Sequence, residues 1–583
     1  VVVSFLGYEN YEQRLTNKID NVKVTLKPAT ENIDEVVVVG MGTQRKVSVA
    51  GAITTMDPAQ LEVPATNIVN TLAGRVAGVI GVQSSGEPGK NISEFWVRGI
   101  GTFGANSGAL VLIDGLEGSL SQIDAADVES FSVLKDAAAT AVYGSRGANG
   151  VVLVTTKRGL ESKLKISGRA NMTISHLKRL PEYAEMANEA SVATGLSPIY
   201  NKTEMDIIKY GLDPDLYPNI DWQDVILNPN SFQQTYYVSA QGGSSVARYF
   251  ASLGMSKESA AYNPSKDSKY NKGVGYDTYN YRLNLDIDLT KTTKVYIGTT
   301  GYMSVNTRPS MGEYSRGVSL TDWLWSSQAK TTPISYPLRY SNGYYPAAGT
   351  KDEISPYVLL NYTGNAREQN TRNLVTLGIT QDLSMITKGL SAKVQGSWDT
   401  QSLFGEARYK MPELNEALKE RNPNGTLSFE KIADEKTVTY SSAAWVWRKL
   451  YLEANVNYDR TFGDHRLGGL LFYYIEDTSE TGADKSMNAI PKRYQSLSGR
   501  FTYGFKDTYF WDLNFGLNGS ENFEPGKQYG FFPAGAFAWV PSSYEFIREN
   551  VSWLNFLKLR VSYGVVGNDR ISSRRFPYLT LIK

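Results

Sequence analysis

The chain has 583 residues, 41% of them hydrophobic, with a mean hydropathy of −0.32, and no apolar run approaches the ~20 residues of a membrane helix, which excludes a helical membrane protein. Its 60 Lys and Arg against 59 Asp and Glu leave a net charge of +1, so no global field points to nucleic acid. The absence of cysteine removes disulfides, thiolate metal sites and cysteine nucleophiles, while 52 Gly, 37 Tyr and 10 Trp suit β-structure, soluble or membrane-bound.

Residues 1–6 read as a strand, and no targeting segment precedes them, so a mature N-terminus and its signal are expected upstream. Next, in DEVVVVGMGTQRK, Asp34, Glu35, Val36, Val37, Val38 and Val39 form an extended run bounded by Pro28 and by Gly40 and Gly42. Such a β-branched segment can leave its domain and pair with a partner along its backbone; the plainer reading is a linker strand paired within the protein. Short apolar segments between glycine-rich turns then follow: LAGRVAGV at 72–79, FWVRGIGTFG at 95–104, LVLIDGLEG at 110–118, IDAADVESFSVLKDAAA at 123–139, and a closing run, VLKDAAATAVYGSRGANGVVLVTTKRG. These predict a compact mixed α/β domain over 53–156, with helices at 65–72 and 125–140 and strands at 110–113 and 151–156. Gly99, Gly101 and Gly104 match GxGxxG, but a strand follows where a dinucleotide site needs a helix, so they read as tight turns.

Beyond residue 160 the period is two. Leu283, Leu285, Ile287 and Leu289 alternate with Arg282, Asn284, Asp286 and Asp288; Trp511, Leu513, Phe515 and Leu517 alternate with Asp512, Asn514, Gly516 and Asn518. The same holds over 450–459. Strands of soluble proteins average ~5–6 residues, whereas these run to the ~9–11 that cross a bilayer at a tilt. The apolar set is expected to face lipid, with Asp286, Asp288, Asp512 and Asn514 facing a lumen. About thirteen strands are predicted, near 163–175, 231–242, 246–256, 276–289, 294–305, 370–383, 390–400, 450–460, 466–476, 495–506, 508–519, 534–541 and 557–566. Long and short connections alternate between them, as in outer-membrane barrels with long extracellular loops and short periplasmic turns. The connection 542–556 departs mildly, with a short periplasmic helix at 544–547. An odd count cannot close, because single-chain bacterial barrels have even numbers and plugged transporters reach about 22. The chain therefore reads as the N-terminal portion of a longer protein, its barrel an open sheet.

Smaller signals have plainer explanations. Tyr183, Met186, Ala187 and Ala190 mark one face of a packed loop helix over 181–194. Trp323, Trp325, Tyr336, Tyr340, Tyr344 and Tyr345 enrich the loop 306–369; aromatic platforms suit sugar rings or peptide side chains, but packing or partner docking is the stronger reading. Asp286 and Asp288 share a face as solvated lumenal charges. His176 and His465 lie at a loop start and a turn, with neither a metal partner nor a triad at hand.

The valine run, the four internal segments and the closing run, in that order, resemble the Ton box and plug of TonB-dependent outer-membrane transporters, in the SusC-like branch found in Bacteroidetes. Met41 departs, an aromatic residue being more usual there. The resemblance covers nearly the whole chain. It implies the C-terminal part of a carboxypeptidase-regulatory-like β-sandwich at 1–28, a linker with the Ton box at 29–48, a plug at 49–159, and an incomplete transmembrane β-barrel at 160–583. It further implies a multi-pass protein of the cell outer membrane whose Asp34, Glu35 and Val36 to Val39 bind TonB, powered by ExbB and ExbD. A SusD-like lipoprotein lid, a dimer of such pairs and an oligosaccharide or peptide cargo are implied as well. No nucleophile, acid–base pair or metal cluster can be assembled from the residues, so neither enzymatic activity nor a cofactor or metal is expected. A ligand-sensing receptor and a surface adhesin without import are the alternatives; an intact box before a complete plug favours transport.

Overall fold

Thirteen strands, numbered here along the wall, form one antiparallel sheet in which every neighbour in space is the neighbour in sequence: β1 Ser162–His176, β2 Asn230–Gly243, β3 Ala247–Ser259, β4 Gly275–Asp288, β5 Thr293–Pro309, β6 Gly364–Asp382, β7 Leu390–Met411, β8 Lys436–Phe462, β9 His465–Thr481, β10 Lys492–Phe505, β11 Tyr509–Ser520, β12 Tyr529–Trp539 and β13 Leu559–Gly564. The structure is a computed structural model, and it describes residues 2–3, 11–12, 24, 36–39, 42–45, 48–63, 65, 67–101, 106–177, 184–268, 274–310, 332–348, 350–481, 489–551, 553–570 and 576–579. The sheet is open, with β1 and β13 as its edges. Five tight connections and 540–558 lie at one end, and the long loops lie at the other. The connection 540–558 carries a short helix, Glu545–Asn550, at the place expected for one.

The alternation fixes the faces as expected. Leu283, Trp511, Leu513 and Leu517 are exposed on the outer face, whereas Asp512 and Asn514 are buried inside. Asp286 and Asp288 also turn inward, but each is paired rather than merely solvated, with Arg158 at 3.2 Å and Arg248 at 2.8 Å respectively. β7 and β8 run to 22 and 27 residues, well past their expected ends. Their apolar alternation lapses, yet the backbone ladder continues through pairs such as Gly405 with Ala443, because pairing depends on main-chain groups rather than on the side-chain pattern.

Inside the curve lies a five-stranded mixed sheet in the order Ile53–Met56, Val128–Leu134, Val151–Thr156, Leu110–Ile113 and Leu116–Glu117. This small domain meets the wall from Arg169 on β1 to Arg560 on β13, so the sheet curls around it as a partial barrel around a plug. Val128, Phe131, Val133, Val152 and Val154 fill its core. The expected helix over 125–140 is corrected: only Ala137–Thr140 is α-helical, and Val128–Leu134 is a strand paired on both edges. Its β-branched and aromatic residues suit a strand buried on both faces, and sheet pairing overrides the helical propensity of the flanking alanines. The helix expected at 65–72 is a 3-10 turn, Ile68–Thr71, capped by Asn67.

The long loops build a satellite layer. Tyr345–Ala348, Thr350–Ile354, Leu414–Arg421 and Leu427–Ala433 form a second sheet against the helix Pro356–Tyr362, around Val358, Leu359, Met411 and Leu414. Trp222 is fully buried and meets Tyr336 edge-on at 5.1 Å, and Tyr340 meets Phe429 at 5.0 Å, so these loop aromatics are packing elements. Trp323, Trp325 and Tyr183 lie outside the described residues. The loop helix is Ala184–Ala193, on which Ala190 is exposed.

Candidate functional site

Val36–Val39 is an extended strand paired antiparallel with Gly42–Arg45 in a two-stranded ladder of its own. β-Branched valine favours this conformation, and the hairpin stands outside the plug sheet. Asp34 and Glu35 lie outside the described residues.

Between this hairpin and the first plug strand the backbone is pinned. Lys558 Nζ donates to Val49 O at 2.5 Å, and Arg560 Nη1 donates to Gly51 O at 2.7 Å. Ala52 N donates to Asp136 Oδ2 at 2.8 Å, while the other carboxylate oxygen of Asp136 caps the helix through Ala139 N. Burial, with the like charge of Arg560 adding to it, pulls the Lys558 ammonium down to about 8. Along the chain, a force on Val36–Val39 therefore reaches the plug through residues held by both the wall and the plug, and the hairpin also lies beside Val128–Leu134.

The plug meets the wall in two chemically different ways. Against β10 to β13 the contact is close and largely apolar: Ala138 and Ala141 pack on Phe510, Ala534, Ala536 and Ala538. Two plug carbonyls are tied directly to wall side chains, Val142 O by Ser498 Oγ at 2.6 Å and Ala138 O by Asn514 Nδ2 at 3.2 Å. Against β4 to β9 the contact is ionic. Asp114, with φ of 52° at the tip of the turn joining Leu110–Ile113 to Leu116–Glu117, accepts from Thr156 N at 2.9 Å and from Arg282 Nη1 at 3.2 Å. Arg282 also lies 3.5 Å from Asp127, whose carboxyl is pushed up by burial despite that cation.

Glu117 is the centre of a cluster of three cations. Lys449 Nζ approaches it at 3.2 Å and Arg146 at 3.7 Å, and Arg570 pairs with it too. Burial acts to raise its carboxyl, but the three cations outweigh burial and hold it well below the usual carboxylate range. Arg146 also reaches Glu476 Oε1 at 2.5 Å and lies 3.7 Å over the Tyr494 ring. Arg372 bridges wall and plug, pairing with Asp399 and donating to Gln122 Oε1 at 2.8 Å.

Sequence reasoning singled out none of these pairs. A usable signal was present: isolated charges at inward positions of otherwise apolar strands, and Asp114, Glu117 and Arg146 inside apolar or glycine-rich plug runs. Single charges so placed need partners, but periodicity cannot say which. His176 and His465 are engaged locally, with Asn230 at 3.0 Å and Tyr503 at 2.7 Å.

Comparison with known proteins bears on the whole arrangement. Residues 45–151 match the TonB-dependent receptor plug domain. Along its full length the chain is 26% identical to TonB-dependent receptor P3 and 29% identical to P26, both of Formosa agariphila, covering 55% and 57% of those proteins. It is 25% identical to TonB-dependent receptor SusC of Bacteroides thetaiotaomicron, covering 58% of it. The chain thus spans little more than half the length of these relatives. Among solved structures, the RagAB peptide importer in its open-open state superposes with a TM-score of 0.71 at 22% identity, over 92% of this chain and 61% of that one, which establishes the shared fold.

Proposed function

We propose that this chain, a SusC-like relative of the TonB-dependent receptors, acts as the plug-bearing part of an energised importer in the outer membrane. The division that fits this role is a β-sandwich tail at 1–28, a linker with the coupling box at 29–48, a plug at 49–159 and a transmembrane wall at 160–583. The observation that carries the reading is the continuous mechanical path: a valine strand in a ladder of its own beside the plug strand Val128–Leu134, a pinned segment at 49–52, and an edge strand of a plug seated in a curved wall.

The outer membrane has no ATP or ion gradient of its own, so the work of import has to arrive mechanically. A TonB-like protein adding a strand to Asp34, Glu35 and Val36 to Val39 would grip the main chain, whose hydrogen bonds resist a pull whatever the side chains. ExbB and ExbD would supply that pull from the inner membrane. Regions open locally at a fraction of global stability, so pulling would displace plug next to the box and leave the wall intact. A SusD-like lipoprotein over the long-loop end, in a dimer of such pairs, and a cargo of oligosaccharide or peptide complete the proposal.

Replacing Val38 with proline removes a backbone donor and fixes φ, while Val38 belongs to a ladder separate from the plug sheet. Cells carrying the full-length protein should keep it at the surface, yet lose uptake of the fluorescent oligosaccharide or oligopeptide mixture that the unaltered protein imports. Normal uptake by the V38P variant, or uptake of neither mixture by the unaltered protein, would sink the proposal.

A further inference from the structure

We infer that the passage through this protein opens on one flank of the plug, along the polar seam between plug residues 113–123 and strands β4 to β6, and that the flank against β10 to β13 stays shut. The inference rests on the importer reading and adds to it the place of opening.

The two flanks differ in packing. A cavity of about 60 Å³ lies between the plug turn and the inward faces of β4, β5 and β6, bordered there by Thr300 and Thr376. A second cavity, of about 30 Å³, lies further round against β7 to β9 and is bordered by Tyr143, whose buried hydroxyl has no hydrogen-bond partner among the described residues. Leu116, Glu117 and Leu374 line both, so the two voids share a boundary. A side-chain carbon added to Gly115 at the turn would meet nothing within 4 Å. On the opposite flank there is no such room: one added to Gly516 of β11 would come within 2.6 Å of Ala141 O, and one added to Gly564 of β13 within 3.1 Å of Ala137.

They differ also in what parting them requires. The seam is held by side chains, Arg282 pairing with Asp114 and Arg372 donating to Gln122, and beside it Lys449 of β8 pairs with Glu117. Water entering a seam that already holds voids can solvate each charge as its pair separates. Parting the β10 to β13 flank would bare close-packed alanine and phenylalanine surface and strip the carbonyls of Val142, Ala138 and Gly51 of their donors at once. The opened seam would be lined by guanidinium, carboxylate and hydroxyl groups, which suits a hydrated polar solute.

Because the 583 residues contain no cysteine, single cysteines can report on each flank. Thr376 on the seam and Ser498 on the shut flank are both buried, and cysteine is close to each in size. Cells making the full-length transporter with T376C or S498C, supplied with both cargo mixtures, would be treated with a small charged methanethiosulfonate, with and without V38P. T376C should label at least tenfold faster with the intact box than with V38P, and labelling should then stop uptake; S498C should stay protected in both. Should T376C not assemble, T300C on β5 reports on the same seam. Labelling of S498C but not of the seam cysteine, or a seam cysteine indifferent to the box while uptake proceeds, would overturn the inference and leave the importer reading standing. Uptake that survives V38P would defeat the importer reading instead, and the seam would then be judged by whether its labelling follows uptake.

Discussion

Removing Arg146 should loosen the plug, and removing Glu476 with it should tighten it again. The Arg146 side chain is 13% exposed and that of Glu476 is 9% exposed, so an Arg146→Met change leaves a nearly buried carboxylate with, among the described residues, only Lys449, 3.9 Å away, to balance it. Breaking one partner of a buried pair costs about 3–5 kcal/mol; with Lys449 and Arg570 still beside the cluster, the low end applies, about 3 kcal/mol, or roughly a hundredfold in the open fraction. The Arg146→Met/Glu476→Leu double variant removes both charges and should lie within about 1 kcal/mol of the unaltered protein, since apolar replacement of a buried pair is often neutral. Hydrogen exchange of the Val151–Thr156 amides in purified, micelle-embedded protein reads the opening directly. Additive effects, with the double variant weaker than either single one, would refute the reasoning. The sign with pH follows from Glu117: its carboxyl is lowered in the folded protein, so the stabilisation is present above its ordinary value of 4.5 and is lost as pH falls below it.

Two further outcomes are expected. Leu513, exposed mid-strand on the outer face, should tolerate lysine poorly, at about 2–4 kcal/mol if it meets the lipid midplane; unchanged heat-modifiable gel mobility and surface yield would contradict a lipid-facing Leu513. Lys558 loses its proton near 8 when folded but near 10.5 when unfolded, so stability should rise between those values as the unfolded form comes to hold the extra proton. Thermal melting at pH 7 and pH 9.5 should show that rise, and Lys558→Met should abolish it; an equal rise in both would assign it elsewhere.

The wall was legible because its side chains obey a simple rule. Leu283 and Leu513 face out, Asp512 and Asn514 face in, and all thirteen expected strands are present. What escaped was set by partners distant in sequence. Val128–Leu134 follows alanines and an acidic turn that favour a helix, and only its ladders with Ile53–Met56 and Val151–Thr156 make it a strand. The upper halves of β7 and β8 lack alternation and are held by each other. Arg146 meets Glu117 across 29 positions of chain and Glu476 across 330, pairings no local pattern encodes.

The edge position of Ile53–Met56 bears on what would follow the proposed pull. The strand has one neighbour, Val128–Leu134, matched over four residue pairs from Ile53 opposite Leu134 to Met56 opposite Phe131. Peeling it away leaves Val128–Leu134 still joined to Val151–Thr156, so the remaining sheet keeps its shape and presents a bare row of donors and acceptors. That row is a mould for the segment just removed, tethered nearby at a high effective concentration and steered by alternating side chains into a single register. Reclosure would then be a local re-annealing on an intact template, resetting the gate after each cycle without refolding the plug.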